Sequence, residues 1–494
     1  MPKTIFSSRI SNQSLPLTHS WEHTIGSGHA LLALRADWQQ QLRRCHEELG
    51  VRYVRFHGLL CDDVGTLICQ SDKLLYSFFN ADQIIDFLLS IGMRPFVELS
   101  FMPTTLASGN KTVFHYQANV TPPKDYKQWA ALIRKIVSHW IDRYGIKEVS
   151  QWYFEVWNEP NLEAFWTAKP QDYFTFYRHT VAAIKDVDGA VRVGGPATAQ
   201  NKWIPEFLEF CDKNNLPVDF ISTHYYPTDA FGEIGADTEA QLAHSPHEVM
   251  RQRAEEAHSS AVGYPLYYTE WNISSNPRDT FHDHSFAAAL ATNIIMNVNQ
   301  LVDGYSYWTF SDIFEENYFP SKPFHGGFGL LNLHGIPKPI YRAFELLHHT
   351  GNELLPVTGT HETVSARVIR GGSRVNVLLT NHAMPLHAIN TEFIEVLLDD
   401  SPPPRAAYLA RIDDEHANPR KLWSAMGEPD YLSRNQVEQL QASSCVAKFP
   451  HPIDYQDRKI RIDISLPPQS VAALTIEFAP DAFASNKRHQ TEAE

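Results

Sequence analysis

The stretch QWYFEVWNEPN, residues 151–161, carries a glutamate, Glu159, to the end of an aromatic and apolar run, between an asparagine and a proline. Such a run reads as a buried strand. A loop glutamate capping the following helix would account for one such carboxylate, so the neighbouring segments decide. On both sides, short β-branched and aromatic runs alternate with longer segments of helical spacing. Strands are expected at 20–26, 51–58, 93–100, 151–158, 191–196, 218–226, 265–272 and 304–310, and helices at 36–49, 81–91, 125–144, 171–187, 202–215, 246–260, 284–300 and 338–349. Eight strand–helix units within about 330 residues is the arithmetic of a (β/α)8 TIM barrel with some long loops. The competing open, doubly wound sheet calls for a GxGxxG or phosphate-binding loop after an early strand, and none occurs.

After Pro337 the pattern changes. VSARVIR, RVNVLLTNH, FIEVLLDD, KIRIDISL and SVAALTIEF alternate with period two, which predicts an antiparallel β-sandwich. The expected layout is a barrel over 15–350 and a sandwich over 351–480 with a helical insert at 412–444. A polar, mobile tail over 481–494 completes it. The sandwich reads as a structural buttress, with carbohydrate binding the second reading.

Composition narrows the partners. The chain has 494 residues, 43% hydrophobic and 20% charged, with a formal net charge of −15. An acidic chain without clustered Lys and Arg disfavours nucleic acid and anionic membranes, and no run reaches the roughly 18–20 apolar residues of a membrane span. The N-terminal stretch lacks the apolar core of an export signal, so a cytoplasmic protein is expected. Cys45, Cys61, Cys69, Cys211 and Cys445 are scattered and without CxxC spacing, which reads as reduced thiols. The histidines of FHDHS (281–285) and His348–His349 lack metal-site spacing and read as surface or helix-capping residues, so neither metal nor cofactor is expected. A homo-oligomer is compatible with the sequence.

Barrel chemistry sits where the strands end. Those ends carry Arg55 and His57, then Asp62 and Asp63; Glu98; Asn158 and Glu159; His224, Tyr225 and Tyr226; Glu270, Trp271 and Asn272; and Trp308, Phe310, Asp312, Glu315 and Glu316. Two glutamates end apolar strands with an aromatic and an asparagine alongside, in VWNEPN and YTEWN. Strands 4 and 7 stand across a barrel from one another, so these carboxyls face each other over its mouth. Opposed carboxyls are the minimum for glycosidic cleavage, one protonated and one ionised, and mutual repulsion separates their pKa values.

WNEPN and TEWN resemble the acid/base and nucleophile signatures of the clan A retaining glycosidases. RYVRFHGLLCDD, STHYYPTD, YWTFSDIFEE and IDDEHANPRKLWSAMG, in that order, resemble the β-xylosidases of glycoside hydrolase family 39, from about residue 20 to about residue 475. The resemblance implies that Glu159 is the general acid/base and Glu270 the nucleophile of a retaining, exo-acting β-D-xylosidase. It also implies that Asn158 holds the sugar 2-hydroxyl, that His224, His57 and Tyr226 lie at the site, and that residues 1–14 supply a further sandwich strand. Arg55 is expected behind the carboxyls, Trp308 and Phe310 as an apolar wall, and Glu315 or Glu316 as a ligand for a sugar hydroxyl. Two acids after strand 8 would repel a uronate, so xylo-oligosaccharides are favoured over the iduronides of the same family; an α-L-arabinopyranoside is the nearest neutral alternative.

Overall fold

The computed structural model describes residues 3–71, 73–229, 237–316 and 319–483. Eight parallel strands close into a barrel in chain order: β1 (Thr24–His29), β2 (Tyr53–His57), β3 (Arg94–Glu98), β4 (Tyr153–Glu155), β5 (Arg192–Ala199), β6 (Phe220–Tyr225), β7 (Leu266–Trp271) and β8 (Gly304–Tyr307), with β8 pairing back to β1. The first strand departs from expectation. Ser20–Glu22 forms a 3-10 turn and pairing starts only at Thr24.

The surrounding helices follow from their apolar spacing. In Tyr126–Tyr144 the buried residues Trp129, Leu132, Ile133, Ile136, Val137 and Trp140 recur every three or four positions and so share one face. The Asp125 carboxylate accepts from the Lys127 amide at 2.7 Å to start this helix, and Gly145, at φ 82°, ends it.

Inside the barrel the period of two stacks side chains in layers. Tyr53, Phe96, Tyr153, Phe220 and Tyr267 pack together to close the N-terminal end. Two residues further along the same strands stand Arg55, Glu98, Glu155 and Thr269, all buried. A charged layer below the mouth is stable only because its members pair with each other.

The C-terminal module is a two-sheet sandwich. One sheet contains Leu15–Pro16, Glu353–Leu355, Val364–Gly371, Arg374–Asn381, Ser470–Glu477, Ala406–Ile412 and Lys448–Pro450; the other contains Thr4–Arg9, Glu392–Asp399, Lys459–Leu466 and Asp454–Gln456. Alternation along Lys459–Leu466 turns Ile460, Ile462, Ile464 and Leu466 onto Val396, Leu474 and Phe6 in the core between the sheets. The expectation of a purely antiparallel module fails at one place, because Thr4–Arg9 pairs in parallel with Glu392–Asp399. Residues 484–494 of the expected tail lie outside the described residues.

Two helices, Pro419–Ala425 and Arg434–Ser443, form the insert. Their Trp423 and Leu440 pack on Phe324 and Ile336 of the long segment after β8. That segment is also pinned from within: the Lys338 ammonium lies 2.8 Å from Asp283 and 2.9 Å from Asp312, all three buried. Lys338→Ala leaves two buried carboxylates facing each other without a cation, and a loss of about 3–5 kcal/mol is expected. Calorimetric unfolding of the variant beside wild type measures it.

Candidate active site

β2 presents Tyr53, Arg55 and His57 inward in alternation, with Arg55 in the charged layer and His57 above it at the mouth. β7 breaks that alternation. The register against β6 slips between Thr223 and His224, and against β8 between Tyr268 and Trp271. A slip of this kind re-aims side chains: both Thr269 and Glu270 contact the interior, while Trp271 stacks on Tyr305. After β4 the chain turns sharply, with Trp157 at φ 75° and Glu159 at φ 44°, and the Glu159 amide donates to the Ala197 carbonyl at 2.8 Å. The turn swings Glu159 over the barrel end.

Arg55 organises the centre. Its Nε donates to Glu155 at 2.6 Å, Nη1 to Glu270 at 2.7 Å and Nη2 to Asn158 Oδ1 at 3.0 Å, and Nη2 forms an ion pair with Glu98 at 2.7 Å. Glu270 accepts a second bond from the Tyr226 hydroxyl at 2.9 Å. Glu159 instead meets His224 Nδ1 at 2.9 Å. Chosen donor atoms of Glu159, His224 and Glu270 all lie within 4.8 Å of one another. One oxygen of Glu159 thus lies within 4.8 Å of one oxygen of Glu270, which places the two carboxyls side by side, as a double-displacement pair requires.

Their surroundings differ in sign. Burial, then the neighbouring Glu270 charge, push the Glu159 carboxyl well above the usual carboxylate range. Glu270 instead receives a guanidinium and a phenol hydroxyl, both directed at its oxygens. Burial and the nearby Arg55 and His57 drive His224 well below an ordinary imidazole. Burial acts the same way on His57, but Glu98, 2.7 Å from Nδ1, outweighs it and raises the pKa. Burial lifts Glu316 to about 8.

The wall of the mouth is aromatic. Trp308 lies 4.7 Å from the His57 ring, and Gly26 makes room for it, since a Cβ there would stand 2.5 Å from the indole. His57 Nε2 is 3.6 Å from both Glu270 and Glu316.

Two expected contacts fall elsewhere. Phe310 is fully buried with its ring edge on Trp38, because its amide donates to the Gly26 carbonyl at 3.0 Å and draws the chain back into the barrel. Glu315 pairs with Arg35 at the rim, and its φ of 54° sends the next side chain, Glu316, the other way, toward His57. His282 is also not a surface residue: it is buried and its Nδ1 lies 2.9 Å from the Gly326 carbonyl oxygen. Glu155 and Thr269 received no role from the sequence. A charged residue on the inward face of an apolar strand, as Glu155 is in YFE, was the signal.

A second cluster, His29, Cys61 and Asp63, also lies within 4.8 Å, but His29 Nε2 and the Asp63 carboxylate already pair at 2.7 Å. A cation among Glu159, His224 and Glu270 would compete with the Arg55 guanidinium for Glu270. Neither donor set fits a resident metal.

Carboxyls paired this way on β4 and β7 of a closed barrel define a glycoside hydrolase. The family model described as Glycosyl hydrolases family 39 matches residues 8–459, and the chain belongs to that family. It is 47% identical over 465 residues to a β-xylosidase of Caldicellulosiruptor saccharolyticus, covering 92% of this chain and 95% of that one. To a β-xylosidase of Geobacillus stearothermophilus it is 38% identical over 493 residues, covering 95% of each. The crystal structure of the GH39 enzyme from Xanthomonas axonopodis pv. citri superposes with a TM-score of 0.86 at 33% identity, covering 97% of this chain and 98% of that one. Among the described residues no helix is long and apolar enough to cross a membrane.

Proposed function

We propose that the enzyme is a retaining β-D-xylosidase that releases xylose from the non-reducing end of short xylo-oligosaccharides. The observation that carries this reading is the unequal environment of two adjacent carboxyls. Glu159, held neutral, protonates the leaving oxygen while Glu270, ionised and aligned by Arg55 and Tyr226, attacks the anomeric carbon. Glu159, now ionised, takes a proton from water, whose oxygen displaces Glu270 with overall retention. Asn158 gives its amide oxygen to Arg55, which leaves its amide N–H groups for the sugar 2-hydroxyl. His57, His224, Tyr226 and Trp308 complete the glycone pocket.

Glu316 is the acid that faces the sugar. Its Oε1 is buried without a hydrogen-bond partner, so it suits a sugar hydroxyl. The relatives' β-xylosidase names point the same way. All five cysteines are unpaired, as suits a reducing cytoplasm, where imported oligosaccharides would be trimmed. Proton NMR of xylobiose hydrolysis tests the reading: β-xylose is expected first, with no turnover of an aryl α-L-iduronide. Release of α-xylose first, or rapid viscosity loss on polymeric xylan, overturns it.

A further inference from the structure

We infer that Thr269 and Glu155 act as positioning residues that lock His224 in one tautomer, with its proton on Nε2, so that Nδ1 accepts a hydrogen bond from the acid form of Glu159. The inference rests on Glu159 being the proton donor.

The lock is read from donors and acceptors. Glu155 Oε2 accepts from Arg55 Nε at 2.6 Å, and Oε1 accepts the Thr269 hydroxyl proton at 2.7 Å. That hydroxyl has one proton, and it is committed. Thr269 Oγ1 lies 3.0 Å from His224 Nε2, so it must act there as acceptor and Nε2 must carry the hydrogen. Burial keeps His224 neutral, which leaves Nδ1 bare. Across the 2.9 Å from Nδ1 to Glu159 Oε1, only a protonated carboxyl supplies a hydrogen.

The other groups around the imidazole do not undo this. Arg55 Nη2 gives one hydrogen to Asn158 Oδ1 at 3.0 Å, lies 2.7 Å from the Glu98 carboxylate, and approaches Nε2 only at 3.4 Å, a longer contact than the 3.0 Å from Nε2 to Thr269 Oγ1. Glu270 Oε2 is 3.6 Å from Nδ1 and takes the Tyr226 proton. His57 adds only a like charge to the imidazole's surroundings, which further disfavours a second proton on the ring. Around Glu159 itself, Glu270, Glu98 and Glu316 favour the neutral carboxyl and Arg55 opposes it. The lock adds a directional bond to that balance. It serves both halves of the reaction: the acid is ready in the first step, and the carboxylate it leaves faces a bare nitrogen, which makes it a stronger base toward water in the second.

Substitution reverses the lock predictably. In Glu155→Gln the amide oxygen must face Arg55 Nε, so the amide N–H points at Thr269. The hydroxyl then donates to Nε2, the ring proton moves to Nδ1, and Nδ1–H favours ionised Glu159. Thr269→Val removes the constraint, whereas Thr269→Ser restores it. The experiment is kcat/KM for xylobiose against pH in wild type and in the T269V, T269S, E155Q and E159A variants. The basic limb, where Glu159 loses its proton, is expected to move down by about one pH unit in T269V and E155Q, and T269S is expected to keep the wild-type midpoint. A role confined to packing lowers kcat without moving that midpoint, so unchanged midpoints in both T269V and E155Q overturn the inference. If E159A retains the basic limb, the assignment of the acid has failed instead.

Discussion

Glu270→Ala is expected to lower kcat on xylobiose by about 10⁵-fold, the scale on which loss of a covalent nucleophile falls. Nothing else at the site can replace it. Arg55 and Tyr226 converge on this one carboxylate, and Glu159, the nearest alternative, is held neutral by burial and by Glu270 itself. Removing Glu270 also opens the face from which it attacks. Azide entering there forms the α-xylosyl azide in a single inversion, and chromatography of the products distinguishes it from the β anomer. A variant that keeps wild-type turnover, or yields the β-azide, would move the nucleophile elsewhere in the mouth.

Glu159→Ala is expected to separate substrates by leaving group. On xylobiose, whose departing alkoxide needs a proton, a loss of about 10³–10⁴-fold in kcat/KM is expected, within the usual range for a general acid. An aryl β-xyloside with an acidic phenol needs no such help, so its first step survives and the xylosyl-enzyme accumulates. Azide then attacks that intermediate from the vacated side and gives the β-xylosyl azide. The measurement is burst kinetics with and without azide. Equal losses on both substrates would mean that Glu159 binds rather than protonates.

Much of this was legible along the chain because two periodicities carry it. Alternation of strand and helix gave the barrel, and the motifs around the glutamates at the ends of β4 and β7 gave the family. What escaped depends on backbone turns of a single residue. Glu315 and Glu316 are adjacent and identical, and only the left-handed conformation at Glu315 sends one to Arg35 and the other toward His57. Phe310 follows a strand end just as Trp308 does, yet a backbone bond to Gly26 draws it into the core. Thr269 was hidden by the slip in β7, since strict alternation cannot bring it and Glu270 to the same interior. The parallel direction of Thr4–Arg9 was equally unreadable, because a pattern of inward and outward residues is the same in either direction.

That first strand has a consequence for biosynthesis. Thr4 finds its partner Ile394 about 390 residues later. At ~5–20 residues per second, the strand waits on the order of 20–80 s after leaving the ribosome before its partner is made. Throughout that interval Phe6, which ends in the sandwich core, has no module to enter, while the barrel segments emerge and pair around it. The sandwich therefore closes last and draws the two ends of the chain together, so the nascent polypeptide passes through a stage with a finished barrel and an unattached leading strand.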